Sequence, residues 1–293
     1  MRGKIIRSLA GFYDVYCYED GLEYRCRARG IFRKDKFRPL VGDEAEFTVT
    51  HAKDMEGSLD GIEKRKNFLV RPPVANIDQA LVVFALASPD PNLFLLDRFL
   101  VRMEKAGIPA IILFNKEDLV TEEEVREYER IYRGSGCRVL TSCVRDGIGV
   151  KEVLELMRGR TTVLAGPSGV GKSSLTNILC PEAEMEVGEV SRKTERGKQT
   201  TRHAELFAIG SDTFFLDTPG FSSLFLEDLK PEEVRRYFRE FREHEGQCRY
   251  EDCMHISEPD CEIKRAVEAG EISRERYENY VRMVSELREV KRY

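Results

Sequence analysis

The chain has 293 residues, 41% hydrophobic and 34% charged, with a formal net charge of −5, which suits a soluble protein of two or three domains. No apolar run reaches the roughly 18 residues a membrane span needs, and the N-terminus Met1-Arg-Gly-Lys-Ile-Ile-Arg-Ser lacks the apolar core of a signal peptide. These features exclude a helical membrane protein and predict a cytoplasmic one, in which eight cysteines point to thiols or a metal site rather than a disulfide framework. The charge is uneven: residues 1–40 hold ten Lys/Arg against five Asp/Glu, leaving 37 against 47 for the rest. A basic end on an acidic body suggests a local surface that meets a polyanion.

Residues 1–66 read as short strands separated by glycines, with alternation in Tyr13-Val15-Cys17, Tyr24-Cys26-Ala28 and Ala45-Phe47-Val49. That pattern predicts a small β barrel. Period two places Arg25, Arg27 and Arg29 together on the face opposite Tyr24 and Cys26, and Phe32-Arg-Lys-Asp-Lys-Phe-Arg38 follows. The face is either simply solvated or, given its interleaved aromatics and cations, a surface for RNA.

From 67 to 225 apolar runs alternate with helical stretches, the pattern of a parallel sheet covered by helices. The runs are 80–86, 110–114, 138–140, 162–165, 206–209 and 213–216; helices are predicted over 93–106 and 121–132, the second opening with a Thr121-Glu-Glu-Glu124 capping box. Asn115-Lys116-Glu117-Asp118 follows the second run. The Asp118 carboxylate can accept from the N1–H and exocyclic amine of guanine, with Asn115 and Lys116 holding the base from the side; alone, four such residues could equally be an exposed turn. Thr141-Ser142-Cys143 falls where a second base loop would lie.

Gly166-Pro167-Ser168-Gly169-Val170-Gly171-Lys172-Ser173 fits G-x-x-x-x-G-K-S, with a strand before it and a helix from Ser174 after it. Glycines let backbone N–H groups and the helix N-terminus face phosphates, Lys172 reaches the β and γ phosphates, and Ser173 ligates Mg²⁺. With this loop present, the NKED sequence argues for GTP over ATP. Asp217-Thr218-Pro219-Gly220 ends the last run, where Asp217 can hold the Mg²⁺ shell and the Gly220 N–H can meet the γ phosphate. Upstream, Arg196-Gly-Lys-Gln-Thr-Thr-Arg-His203 offers a hydroxyl for Mg²⁺, with Thr201 preferred. Phe221 stands where many GTPases carry a water-positioning glutamine, so Gln199 and His203 are the nearest candidates for that role, each with a merely structural role as the alternative.

After residue 225 come a charged helical region, a cysteine cluster and a final helix. Cys248, Cys253, His255 and Cys261 lie within fourteen positions. Three thiolates and an imidazole suit one closed, structural Zn²⁺ site; the alternative is a loop of reduced thiols.

The order of these parts is the most informative feature. In the usual GTPase the phosphate loop comes first and NKxD last; here NKED precedes the phosphate loop and DTPG closes the series, as in a circular permutation. Taken together, the barrel, NKED, GPSGVGKS, RGKQTTRH, DTPGF and the Cys-Cys-His-Cys cluster resemble, over nearly the whole chain, the ribosome small subunit-dependent GTPase A family. The resemblance implies a multidomain α/β protein: an OB-fold barrel at 1–66 that binds RNA, a permuted P-loop GTPase domain at 67–225 and a zinc-binding helical domain at 226–293. It further implies late maturation of the small ribosomal subunit, contact with its rRNA, and GTP hydrolysis to GDP stimulated by that particle. One position departs from the family, where a histidine tied to hydrolysis is replaced by Gln199. Two other readings are a GTP-binding RNA module with little catalysis and a regulatory GTPase unconnected with ribosomes. Nothing in the sequence demands a dimer, so a monomer is expected. The continuation Phe221-Ser-Ser-Leu-Phe-Leu226 predicts that the C-terminal region responds to nucleotide state.

Overall fold

The computed structural model describes residues 1–30, 32, 37–70, 72–181, 204–217 and 229–290; side chains at 217 and 290 are not described. Five strands, β1 (Arg2–Leu9), β2 (Phe12–Cys17), β3 (Glu23–Ala28), β4 (Glu44–His51) and β5 (Glu56–Ile62), close into a barrel in the order β1-β2-β3-β5-β4. All pairings are antiparallel except β3 with β5. The alternation seen in the sequence sets the inside: Ile5, Tyr13, Val15, Cys17, Tyr24, Cys26, Phe47 and Leu59 fill the barrel. Gly57 is required where β5 presses on its neighbours, since a Cβ there would come 2.8 Å from the Cys26 sulfur.

A short ribbon, β6 (Phe68–Leu69) with β7 (Val74–Ala75), leads to a six-stranded sheet. Its strands are β8 (Gln79–Ala85), β9 (Ala110–Asn115), β10 (Arg138–Ser142), β11 (Thr161–Ala165), β12 (Leu206–Ile209) and β13 (Thr213–Asp217), in the order β10-β9-β8-β11-β13-β12. Five are parallel, and β12 runs antiparallel to β13. The sequence pattern predicts a parallel sheet throughout, but only Gly210, Ser211 and Asp212 separate these two strands, and so short a link can make only a hairpin.

Helices α1 (Leu93–Lys105) and α2 (Glu122–Tyr132) cover one face of the sheet; α3 (Val150–Met157) and α4 (Lys172–Leu179) cover the other. Strand β8 shows how the sequence serves both faces. Ala80, Val82 and Phe84 meet Leu96, Phe99 and Met103 of α1, while Leu81, Val83 and Ala85 meet the layer of Val153, Met157 and Leu175. The capping box at Thr121 and Glu124 forms as its spacing predicts.

The barrel sits against the β12/β13 edge. The Tyr16 ring meets Phe214 edge-on at 5.5 Å, its hydroxyl donates to the Gly210 carbonyl at 3.1 Å, and Arg7 pairs with Glu205. Residues 231–237 and 239–244 are 3-10 turns, a tighter coil than the charged helix expected there, and precede α5 (Glu262–Glu268) and α6 (Arg274–Val290). This C-terminal unit shares a core with α1, since Phe94 and Val101 pack among Leu229, Val234, Phe238, Tyr280, Met283 and Val284. At the seam, fully buried Arg276 pairs with Asp97 of α1 and with Glu240, lies over the Tyr132 and Phe238 rings at 5.2 and 5.0 Å, and Asn279 donates to Asp97 at 2.6 Å. Burial raises the Asp97 carboxyl to about 6 despite the adjacent guanidinium.

Removing Arg276 leaves the buried Asp97 and Glu240 carboxylates without their shared cation. Arg276→Ala is expected to cost about 3–5 kcal/mol and to expose the C-terminal unit to protease first. Denaturant titration with limited proteolysis checks this, and an unchanged midpoint would show the seam to be dispensable.

Candidate functional site

Because β8, β9, β10, β11 and β13 are parallel, their C-terminal ends lie along one edge, and the nucleotide motifs that fall among the described residues emerge there. The NKED turn follows β9, Ser142 ends β10, the glycine-rich loop joins β11 to α4, and Asp217 ends β13.

The glycine-rich loop needs its glycines for definite reasons. Gly166 has φ of +142°, and a Cβ there would fall 2.1 Å from the Val83 carbonyl; Gly171 has φ of +100°, and a Cβ would strike the Asn115 amide at 2.2 Å. Pro167 is half-buried, Ser168 and Gly169 are exposed, and Val170 is buried under the loop. The Lys172 ammonium bends back onto the Gly166 and Pro167 carbonyls at 2.9 and 2.5 Å, which places its charge over the loop. Ser173 and Ser174 follow in the first turn of α4, both half-buried.

On the base side Asn115 is 3% exposed and its carboxamide is committed to the protein. It donates to the Val170 carbonyl at 2.8 Å and accepts from the Val144 N–H at 3.0 Å and the Ser142 hydroxyl at 3.2 Å. One side chain thus ties the phosphate loop, NKED and the loop after β10 together. Lys116 takes the left-handed conformation (φ +65°) and reaches the carbonyls of Gly169, at 2.8 Å, and Ser88. Glu117 and Asp118 lie in the 3-10 turn Glu117–Leu119. Both Asp118 oxygens have partners, Oδ1 with the Cys143 thiol at 3.1 Å and Oδ2 with Arg145 at 3.1 Å. Burial, then the adjacent Asp118 and Asp146, pushes the Cys143 thiol up to about 11, so it donates as a neutral group.

Register pairs Asp217 with Leu164 of β11, directly before the phosphate loop. The Asp217 side chain lies outside the described residues, as do Gln199, Thr201, His203 and Gly220.

Arg25 and Arg27 of β3, and Arg29 just beyond its end, are exposed as period two requires, but they are not unopposed. Arg25 pairs with Asp14 at 3.0 Å, Arg29 with Asp60 at 2.9 Å, and Arg27 lies over the Phe12 ring at 4.7 Å.

The four residues of the cysteine cluster converge, their ligand atoms all within 4.8 Å of one another. Cys248 Sγ is 4.0 Å from Cys261 Sγ and 3.6 Å from His255 Nδ1, which is 3.4 Å from Cys261 Sγ. Tetrahedral zinc bonds of about 2.3 Å to sulfur and 2.0–2.1 Å to nitrogen imply ligand separations of ~3.8 Å between sulfurs and ~3.5 Å between sulfur and nitrogen. The cage therefore fits the ion. Cys253, Cys261 and His255 are buried, and Tyr280 and Tyr277 donate to the Met254 and His255 carbonyls at 2.7 and 2.8 Å, bracing the loop against α6.

Sequence reasoning passed over Arg145, Asp146 and the Arg276 group. The first two sit in an ordinary charged turn, and Asp97, Glu240 and Arg276 are too far apart in sequence for any local signal.

A glycine-rich phosphate loop, an NKED turn tied to it, and a rotated motif order on a parallel sheet define a circularly permuted P-loop GTPase beside an OB-like barrel and a Cys₃His cluster. The sequence model of the RsgA GTPase matches residues 62–227, and that of the RsgA N-terminal domain matches 2–57. The chain belongs to the RsgA GTPase family. A small ribosomal subunit biogenesis GTPase RsgA of Agathobacter rectalis is 46% identical over all of both chains, and one of Alkaliphilus metalliredigens is 45% identical over 100% of this chain and 99% of that one. Among solved structures, YjeQ from Thermotoga maritima superposes with a TM-score of 0.84 at 36% identity, covering 98% of each chain. YloQ, described as a circularly permuted GTPase, gives 0.82 at 38% identity, covering 98% of this chain and 95% of its own.

The purified chain is expected to carry about one zinc, held by a complete four-ligand shell. Cys253→Ser should lower the bound metal and loosen residues 245–270 to hydrogen exchange, while GDP affinity stays within about two-fold because the cluster shares no ligand with the phosphate loop. Elemental analysis that finds no zinc in the native chain would remove the site.

Proposed function

We propose that the chain hydrolyses GTP during late maturation of the small ribosomal subunit, binding rRNA and leaving the particle when its nucleotide state changes. The observation that carries this reading is the Asn115 carboxamide, which joins a phosphate loop to a guanine-type turn in one site. The name printed for the full-length relatives supplies the partner. In this reading three units work together in the cytoplasm, 1–66 on RNA, 67–225 on nucleotide and 226–293 around zinc, in a monomer.

Within the site, residues Gly166 to Ser174 cradle the phosphates and Lys172 offsets their charge. Ser173, Thr201 and Asp217 hold Mg²⁺, Gly220 meets the γ phosphate, Asp118 reads guanine, and Gln199 or His203 orients the attacking water. The barrel arginines would exchange Asp14 and Asp60 for phosphates. The Arg25 and Arg29 heads are themselves exposed, and the buried Asp14 keeps Arg7 as a partner at 3.0 Å if Arg25 turns away.

Asp118→Asn replaces one acceptor by an amide donor. GDP affinity should fall at least about ten-fold, the loss of one charged hydrogen bond, while xanthosine diphosphate, which offers a carbonyl where guanine has its amine, should bind better than to the wild type. Competition titrations with both nucleotides check this; a mutant that keeps its guanine preference would make NKED a plain turn.

Single-turnover GTP hydrolysis with and without saturating small subunits tests the function. Hydrolysis is expected to be slow alone and at least about ten-fold faster with the particle, the effect of placing one water-orienting group. Equal rates, together with equal particle binding in GDP and in a nonhydrolysable analogue, would overturn the proposal. Particle binding without any turnover would favour the RNA module with little catalysis.

A further inference from the structure

The reading of Asp118 as the guanine acceptor leaves unexplained why its carboxylate is already engaged. Arg145 is 73% exposed at its side chain and Asp118 24%, so the guanidinium covers the carboxylate from the solvent side. A guanidinium and the guanine edge are both planar groups with paired donors, and they seek a carboxylate in the same in-plane directions. Arg145 meets Asp118 Oδ2 as an ion pair at 3.1 Å while its hydrogen bonds go to Asp146, and in that place it crowds the outer side of an oxygen that guanine's paired donors must also reach.

A second carboxylate stands beside the first. Asp146 accepts from Arg145 Nε at Oδ1 and from Nη2 at Oδ2, both at 3.2 Å, and lies 3.1 Å from the Cys143 sulfur, whose one proton it shares with Asp118. Every donor that occupies Asp118 in this turn therefore already touches Asp146. The backbone that carries them is held: Val144 is buried with its N–H on Asn115, and the Asp146 N–H bonds to the Cys143 carbonyl at 3.1 Å. A change of partner needs only side-chain rotation.

We propose that Arg145 is a built-in competitor for the guanine site, and that Asp146 is the positioning residue that draws it off Asp118 when the base arrives. This inference rests on Asp118 reading guanine. Affinity for guanine nucleotides is then the intrinsic affinity reduced by the fraction of molecules in which Arg145 lies on Asp118. Because Arg145 stays within reach throughout, it retakes the carboxylate as the base lifts.

A double-mutant cycle tests this with fluorescent GDP by stopped flow and by equilibrium titration. Arg145→Ala is expected to tighten GDP by about two- to five-fold, the range open to an exposed ion pair, mainly through faster association, since Asp118 no longer has to be cleared first. Asp146→Asn, which leaves Arg145 with Asp118 as its carboxylate in this turn, is expected to weaken GDP by a similar factor. In the Arg145→Ala background Asp146→Asn should have no further effect, since the competitor is gone. Weaker binding in Arg145→Ala would show that Arg145 touches nucleotide directly, and an Asp146→Asn loss of equal size in both backgrounds would show that Asp146 only supports the loop; either result overturns the proposal. Asp118→Asn separates the two levels of the argument: a mutant that keeps its guanine preference refutes base reading by Asp118, whereas a shift toward xanthine with a failed cycle refutes only the competitor.

Discussion

The buried carboxamide of Asn115 is the contact on which the nucleotide site depends. Asn115 ends β9, and from there its single amide spans to the Val170 carbonyl in the phosphate loop while its oxygen gathers the Val144 N–H and the Ser142 hydroxyl. Each partner is a polar group with little access to water, so each lost bond leaves a desolvated donor or acceptor behind. The requirement spreads outward. Gly171 must lack a side chain because the Asn115 amide lies 2.2 Å from where a Cβ would be, and β8, β9 and β10 must keep their parallel register to bring the three loops to one edge.

The strand order gives the permutation a physical meaning. Strands β10, β9 and β8 precede the phosphate loop in sequence and form one half of the sheet; β11, β13 and β12 form the other. The first half carries the base-side loops and the second the phosphate-side loops, so each half is continuous in the chain. They meet where β8 pairs with β11, the place at which open α/β sheets bind ligands.

Much of this was legible in the sequence because it is local. Alternation in Tyr13-Val15-Cys17 and Tyr24-Cys26 marks side chains that do enter the barrel, and the Thr121 capping box is a spacing of three residues that forms as read. The glycine-rich loop and NKED each carry their chemistry in consecutive residues. What was not legible depends on partners remote in sequence. Arg25 and Arg29 read as a free basic face, yet Asp14 and Asp60 neutralise them from neighbouring strands. The charged stretch before the cysteine cluster has helical composition, but it coils as 3-10 turns so that Val234, Phe238 and Phe241 reach the core shared with α1. Asp118 reads as an open acceptor and is occupied by Arg145 and Cys143, a placement set by the fold of the loop after β10.

The docking of the C-terminal unit changes how nucleotide state could reach it. The sequence suggests a covalent lever, with the chain after Asp217 pulling on whatever follows. In the structure that unit is fixed at its other side to α1, a helix of the base-side half, by a shared apolar core and by buried Arg276 between Asp97 and Glu240. Separating it would strand charges in a dry seam, a penalty of several kcal/mol, and the γ-phosphate contacts of a switch segment are a few hydrogen bonds of about 1.5–3 kcal/mol each when charged. Any nucleotide-linked displacement of the unit therefore works against this seam, at a penalty of the same order as those contacts.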